Sequence, residues 1–197
     1  RGANEILELG AGALTHLKFE THYDIYDVIE PKSYIFDLAS QQERKLIRHY
    51  YKDIKEIPED QKYEKIISIA VLEHIIELED VLLQVTKKLT PEGKFIVEIP
   101  AEGEFLWWLG WRLTTGIGFW LKYHLDYGVI MKYEHVNTAY EIEEIIKYFF
   151  EEIKIKRFPL NIKQLSIFTY IEAKKPRTEL AINFLKNYKH KYIKENF

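Results

Sequence analysis

The sequence predicts an α/β fold, with helices on both faces of a mostly parallel sheet of seven strands. Short apolar stretches rich in β-branched residues alternate with stretches of helical periodicity through the first hundred residues. This alternation implies right-handed crossovers between parallel strands. Two late strands joined by a short link predict an antiparallel pair at the sheet edge. A length of 197 residues and a hydrophobic content of 47% suit one domain with a full core.

The first half of the chain supplies five strands and three helices. Strands are predicted at residues 4–9, 23–29, 49–54, 65–70 and 94–99. Proline ends the second and fifth strands, at Pro31 and Pro100. Helices are predicted at residues 13–20, 40–48 and 78–89. The second begins with Ser40-Gln-Gln-Glu43, which has the spacing of a capping box, and Thr90-Pro-Glu-Gly93 is a predicted turn.

After Pro100 the alternation of strands and helices stops for about 35 residues and then resumes. Thr138-Ala-Tyr-Glu141 is a second capping box and predicts a new helix. Strands near residues 153–158 and 166–172 complete the sheet, and an amphipathic helix follows Pro176. We therefore expect a main domain at residues 1–175, an aromatic insertion within it at about 101–137, and a C-terminal helix at 176–197.

Composition and charge exclude several classes of function. The net charge of −3 argues against a dedicated nucleic-acid binder. The absence of cysteine excludes disulfides, thiolate metal sites and iron–sulfur chemistry. No secretory signal is visible, so a cytoplasmic location is expected. The apolar stretch at 105–121 contains an arginine, two threonines and three glycines, which argues against a helix that spans a bilayer.

The strongest local signal is the turn Glu8-Leu9-Gly10-Ala11-Gly12, placed between the first strand and the predicted helix. Glycines there let a ligand approach the backbone closely, and a helix N-terminus offers free N–H donors, although such turns also occur for packing alone. Glu30 ends the second strand, where a carboxylate can accept both hydroxyls of a ribose. Asp53 ends the third strand at the same edge. Together these features indicate a cofactor that contains adenosine.

These residues resemble the class I S-adenosylmethionine-dependent methyltransferases, especially the small-molecule branch. The resemblance rests on five motifs: Glu8 to Gly12, Glu30-Pro31, Asp53-Ile54, Val71-Leu72-Glu73-His74-Ile75 and Leu89 to Val97. It covers residues 4–100 closely and residues 138–173 only in pattern. It implies a Rossmann-like methyltransferase fold with an antiparallel edge strand, and S-adenosylmethionine as the cofactor.

The resemblance also implies roles for residues at the carboxyl edge of the sheet. Gly10, Ala11 and Gly12 would line the methionine portion of the cofactor, and Glu8 would orient its ammonium group. The position after the turn, which in the family usually carries glycine or another small residue, is Ala13 here.

Further along the chain, the resemblance implies a place for each remaining part of the cofactor. Glu30-Pro31 would bind the ribose. Asp53-Ile54 would hold the adenine, with the carboxylate accepting from its amino group and the isoleucine packing on the ring. Ala70-Val71 would pass beneath the cofactor and face the methyl donor.

Two alternatives to this enzyme stay open. Nicotinamide-dependent dehydrogenases share the glycine turn and the acidic residue, but Gly10-Ala-Gly12-Ala-Leu-Thr15 lacks their third glycine. A non-catalytic binding or assembly module could retain the same fold. The metal-dependent branch of the methyltransferases needs clustered acidic residues after the fourth strand. This chain offers only Glu73 there, so no metal is expected.

Two histidines are candidates for the general base that removes a proton from the methyl acceptor. His74 follows the fourth strand, beside the expected position of the methyl group, and His135 closes the insertion within Tyr133-Glu-His-Val-Asn137. The structural alternative for His74 is a hydrogen bond at a helix terminus. For His135 it is loop anchoring by pairing with Glu134 or Asn137.

All four tryptophans lie in the insertion, which predicts a lid over a small-molecule substrate at residues 105–127. The candidate substrate contacts are Trp107, Trp108, Trp111 and Tyr133. The alternatives are packing of a helical pair on the sheet, or contact with a membrane surface. Glu102 and Glu104 are expected to be solvated. The expected substrate is a small hydroxylated or amine-bearing molecule, methylated on oxygen or nitrogen, with a sugar or glycan precursor suggested by the aromatic lid.

Overall fold

The computed structural model describes residues 5–196 and contains one seven-stranded sheet. The strands are β1 (Glu5–Leu9), β2 (Ile25–Ile29), β3 (Tyr50–Tyr51), β4 (Tyr63–Ile69), β5 (Leu89–Pro100), β6 (Phe150–Pro159) and β7 (Ser166–Pro176). They are ordered β3-β2-β1-β4-β5-β7-β6 across the sheet. The first five are parallel, whereas β7 runs antiparallel to both β5 and β6. The predicted fold class is confirmed, including the antiparallel pair β6–β7. Asn4, the predicted start of the first strand, lies outside the described residues.

Eight α-helices are found within the described residues. They are α1 (Ser33–Phe36), α2 (Gln41–Arg44), α3 (Leu78–Lys88), α4 (Phe105–Trp111), α5 (Ile117–Tyr123), α6 (Tyr127–Glu134), α7 (Ala139–Phe149) and α8 (Thr178–Asn196). Both predicted capping boxes form, at Ser40 and at Thr138. In each box the hydroxyl accepts from the third backbone N–H of the helix and a glutamate accepts from the cap.

The sheet buries apolar side chains on both faces because successive residues of a strand point to opposite sides. On one face Leu7 and Leu9 of β1 join side chains from α3, α7 and α8 in the larger core cluster. On the other face Ile6 packs with Tyr26 and Ile67 in a smaller cluster. Glu8 shares this second face and is also buried.

The helix predicted at residues 13–20 is wrong. Only a 3-10 turn forms there, at Leu17–Phe19. Leu14 adopts a left-handed backbone with φ of 60°, which interrupts a right-handed helical path. The Glu20 side chain then accepts hydrogen bonds from Lys65 and His16. The glycine turn therefore leads into an irregular loop and not into a helix N-terminus.

Two other predictions are correct in position but differ in extent, and the turn predicted at residues 90–93 is wrong. The helix predicted at 40–48 ends at Arg44, and the third strand contains only Tyr50–Tyr51. Residues 90–93, predicted as a turn, lie within β5. They bulge from its ladder with β4, whose pairing jumps from Leu89 to Lys94. Proline and glycine at these positions weaken regular pairing.

The insertion after β5 is helical. Helix α4, a π-helical turn at Arg112–Gly116 and α5 follow one another without a break. His124, with φ of 54°, ends this long helix, and α6 returns toward the sheet. The two ends of the insertion meet where the Ala139 N–H donates to the Glu102 carbonyl at 3.3 Å. None of the helices within residues 5–196 is long and apolar enough to cross a membrane.

Candidate active site

Two glycines at the end of β1 have left-handed backbone conformations for different reasons. Gly10 has φ of 74°, and a Cβ atom there would lie 2.2 Å from a methyl group of Val71. Gly12 has φ of 53°, but a Cβ atom there would meet nothing closer than Ile35 at 3.9 Å. Gly10 is therefore required by packing, whereas the space over Gly12 is open to a ligand.

Glu30 holds the glycine loop against the end of β2. One carboxylate oxygen accepts from the Gly12 N–H at 3.0 Å, and the other accepts from the Lys32 N–H at 2.9 Å. The residue is 7% exposed. Each oxygen still has a second lone pair with which it can accept another hydrogen bond. Tyr50, a residue without a sequence signal, supports this corner by donating its hydroxyl proton to the Glu30 carbonyl at 2.7 Å.

Glu8 lies beneath the loop and not at its surface. Its carboxyl group is buried and accepts a hydrogen bond from the Tyr26 hydroxyl at 2.7 Å. Burial raises the pKa of Glu8 to about 7, although the hydrogen bond from Tyr26 opposes that change. The same burial, with Glu8 beside it, raises the pKa of Tyr26. Glu8 therefore changes its protonation state near neutral pH.

The remaining predicted cofactor residues follow the carboxyl ends of β2, β3 and β4. Pro31 is exposed. Asp53 is exposed and caps the 3-10 turn at Ile54–Glu56, accepting from the Lys55 N–H at 2.8 Å. Ile54 is only 3% exposed and belongs to the larger core cluster. Its side chain therefore packs mainly against protein.

Ala70 and Val71 connect β4 to the 3-10 turn at Leu72–His74. Ala70 is exposed and has φ of 53°, a conformation that costs an alanine roughly 1–2 kcal/mol. Its N–H donates to the Glu98 carbonyl of β5 at 2.8 Å. The Val71 side chain packs on Gly10, so the ends of β1 and β4 are in direct contact. Strained backbone of this kind is concentrated at functional sites.

Both candidate histidines lie together, where the insertion contacts the segment after β4. The rings of His74 and His135 meet edge to face with centroids 4.7 Å apart. His74 Nδ1 donates to the Glu134 carbonyl at 2.9 Å, at the C-terminus of α6. His135 Nδ1 contacts the Glu102 carboxylate. With Nδ1 protonated in both rings, a neutral imidazole leaves Nε2 as a proton acceptor.

Both structural alternatives for these histidines are partly realised. His74 does bind a carbonyl at a helix terminus. His135 is anchored by Glu102, and not by Glu134 or Asn137 as expected. Asn137 instead donates from its side-chain amide to the Leu72 and Ile75 carbonyls. Anchored rings have fixed orientations, which also suits a general base.

Burial shifts the protonation of the carboxyl and imidazole groups in this cluster. It raises the pKa of Glu102 to about 7, with His74 acting in the opposite direction. It lowers the pKa of His135, and His74 lowers it further. It also raises the pKa of Glu73, which is 2% exposed and has one carboxylate oxygen without a hydrogen-bond partner among the described residues. The Glu102–His135 pair can therefore gain or lose a proton near neutral pH.

A cleft of about 860 Å³ extends from this pair into the insertion. Trp107, Trp108 and Trp111 line it, whereas Tyr133 is 85% exposed and is not among its lining residues. Glu102 and Glu104 also line the cleft. The expectation that these two glutamates are solvated is wrong, because Glu104 is 5% exposed and the Glu102 side chain 16%.

A second cavity, of about 560 Å³, lies near the amino end of β5. Thr86, Leu89 and Pro176 are among the residues that line it. Open α/β sheets bind ligands at the carboxyl ends of their strands. The cleft beside the histidines is therefore the better candidate for a substrate site. No group of three or more acidic, histidine or cysteine residues within residues 5–196 is arranged to hold a metal ion.

Comparison with solved structures identifies the fold as that of S-adenosylmethionine-dependent methyltransferases. The N-methyltransferase NodS from Bradyrhizobium japonicum WM9, in complex with S-adenosyl-L-homocysteine, matches with a TM-score of 0.61 and 16% identity over 89% of this chain and 79% of that chain. A methyltransferase from Archaeoglobus fulgidus matches with a TM-score of 0.63 and 15% identity, over 88% of this chain and 87% of that one.

A possible histamine N-methyltransferase from Thermotoga maritima matches with a TM-score of 0.62 and 15% identity, over 89% of this chain and 83% of that chain. No protein-family model and no curated protein sequence matches the chain. The expected Rossmann-like methyltransferase fold is thus confirmed.

Proposed function

We propose that this protein is an S-adenosylmethionine-dependent methyltransferase that acts on oxygen or nitrogen of a small molecule. The observation that carries the proposal is the adjacency of two half-sites. Val71 packs on Gly10 of the open glycine loop that Glu30 holds. His74, three residues beyond Val71, meets the ring of His135, which lines the cleft. This arrangement suits a cofactor on one side and a methyl acceptor on the other.

The residues present fit the adenosyl cofactor at several points. The space over Gly12 is open, Glu30 keeps acceptor capacity for ribose hydroxyls, and Asp53 is exposed at the same edge. Glu8, buried beneath the glycine loop, would help to orient the ammonium group of the cofactor through that loop. Ala70 and Val71 would border the methyl group. When bound, S-adenosylmethionine supplies a methyl group activated by a positively charged sulfur.

The protein would contribute position and proton transfer. The cleft walls would hold the acceptor in line with the methyl group, and such positioning can supply several kcal/mol of the barrier. His74 and His135 would accept the proton that a hydroxyl or ammonium group releases, each at Nε2. Glu102 would orient His135 and stabilise its protonated form. A general base of this kind typically contributes about 10²–10⁴-fold to the rate.

Calorimetric titration with S-adenosylmethionine and S-adenosylhomocysteine tests the cofactor site. We expect both to bind, and Glu30→Ala to lose about 1.5–3 kcal/mol of binding free energy because a charged hydrogen-bond partner is removed. Glu30→Gln keeps one carbonyl acceptor and should lose less. Asp37→Asn, which removes a largely exposed carboxylate nearby, is the control.

Unchanged affinity in Glu30→Ala would show that the ribose site has been misplaced. Binding of the cofactor without methylated product from any member of a broad acceptor panel, assayed by mass spectrometry, would favour the non-catalytic module instead. Absence of binding to the wild type would refute the enzymatic function.

A further inference from the structure

The cleft beside His135 contains polar groups that the protein itself does not satisfy. Glu104 lines the cleft and is 5% exposed, and its Oε2 atom has no hydrogen-bond partner among the described residues. The indole N–H of Trp111, another lining residue, is also buried without a partner in this part of the chain. Buried polar atoms without partners are uncommon, because each costs about 1–3 kcal/mol.

Carboxyl groups outnumber basic side chains in the lining of the cleft. Its lining includes Glu102, Glu104 and Glu141, whereas His135 is the only basic side chain that lines it within residues 5–196. Glu141 is used by the capping box at Thr138. The nearest cation to Glu104 is Lys163, whose Nζ lies 3.7 Å from Oε1, too far for a good hydrogen bond. Glu104 Oε2 therefore lacks a hydrogen-bond donor within the described part of the chain.

The aromatic walls already hold one cation. The guanidinium of Arg112 already lies over the rings of Trp108 and Trp111, at 4.9 and 5.6 Å from their centroids. The negative face of an indole ring attracts cations in this way. Trp107 lies between His135 and Trp111, with ring centroids 6.2 and 6.3 Å from theirs, and extends the same aromatic surface toward the histidines.

We propose that the cleft selects a small protonated amine that also carries a hydroxyl or ether oxygen, such as an amino sugar or an amino alcohol. The ammonium group would donate to Glu104 Oε2, and the oxygen would accept from the indole N–H of Trp111. This recognition rests on the proposed function for its biological meaning, since the same cleft would hold the methyl acceptor. It concerns binding alone.

Matched pairs of ligands that differ only in the amine test this inference. D-Glucosamine is compared with D-glucose, and ethanolamine with ethylene glycol, on the full chain saturated with S-adenosylhomocysteine at pH 7. All four tryptophans lie within residues 107–120 and three line the cleft, so their fluorescence reports binding there. Ligand-observed NMR repeats each titration. We expect at least one amine to bind about ten-fold or more tightly than its neutral partner.

Two variants and two matched controls locate the effect. Glu104→Gln should abolish most of the preference for the amine, and Trp111→Phe should weaken both members of a pair while the preference is kept. Glu92→Gln removes an exposed carboxylate remote from the cleft, and Trp120→Phe alters a tryptophan that does not line it. Both controls should bind like the wild type.

The outcomes separate this inference from the proposed function. Equal binding of amine and neutral partner in both pairs, or a preference retained in Glu104→Gln, would overturn the inference. The affinity of each variant for S-adenosylhomocysteine shows whether it is folded and tests the cofactor site separately. An amine preference in a protein that does not bind S-adenosylhomocysteine would support the cation site and reject the methyltransferase function.

Discussion

Buried carboxylates have different surroundings in two regions of the molecule. The first is the edge formed by the glycine loop and Glu30, and the second is the cleft lined by Trp107, Trp108 and Trp111. At the edge, Glu30 accepts from two backbone N–H groups and Glu8 accepts from the Tyr26 hydroxyl. In and beside the cleft, Glu73 and Glu104 each have an oxygen without a partner among the described residues. The protein thus supplies donors to Glu30 and Glu8, whereas Glu73 and Glu104 each keep an oxygen that another molecule could satisfy.

The largest expected effect tests how rigidly the edge is packed. Gly10→Ala should lower the free energy of unfolding by about 3 kcal/mol, because a left-handed alanine is strained and its Cβ atom would overlap Val71. Gly12→Ala should cost only about 1–2 kcal/mol, because the space over it is open. Urea unfolding measures both.

The double variant Gly10→Ala/Val71→Ala separates the two contributions in Gly10→Ala. It should be less unstable than the sum of the two single variants, because removal of the valine methyl groups relieves the overlap. Additive losses would mean that Gly10 and Val71 are not in contact.

The second prediction concerns the buried carboxyl of Glu8. Because its pKa is raised from 4.5 to about 7 in the folded protein, the folded state binds this proton more tightly than the unfolded state. The free energy of unfolding should therefore fall as the pH rises from about 4.5 to 7, by up to roughly 3 kcal/mol. Glu8→Gln, which keeps an oxygen for the Tyr26 hydroxyl, should remove this part of the pH dependence. Urea unfolding at pH 5 and pH 8 compares the two proteins, and identical pH profiles would contradict the raised pKa.

The smallest expected changes in stability compare Glu30 at the edge directly with Glu104 in the cleft. Glu30→Ala should destabilise the fold by about 1–2 kcal/mol, because the Gly12 and Lys32 N–H groups lose their acceptor. Glu104→Met should raise stability by about 1 kcal/mol, since it removes an unsatisfied buried oxygen. Thermal unfolding of the wild type and of these two variants gives the order of their stabilities. A loss of stability in Glu104→Met would show that this carboxylate serves the fold and not a ligand.

The features that could be predicted from the sequence depend on local pattern. Strand periodicity placed Gly10, Glu30 and Asp53 at one edge, because parallel strands end together, and the capping boxes located two helix starts. The helix at 13–20 could not be excluded, because the left-handed conformation of Leu14 arises from tertiary packing. The burial of Glu104 and its unsatisfied oxygen depend on how the insertion folds back, and no local signal gives that. The cytoplasmic location, the absence of a metal and the domain boundaries stay predictions.

The insertion is fixed at its two ends by backbone hydrogen bonds. Glu102 and Ala139 bond to each other, and the Glu73 carbonyl accepts from the Val136 and Asn137 N–H groups. Between these anchors α4 also contacts β7, and the Phe105 N–H donates to the Gln164 side chain at 3.1 Å. A segment grafted from a related scaffold would have to keep these contacts, and it could then place a different cleft beside the same sheet.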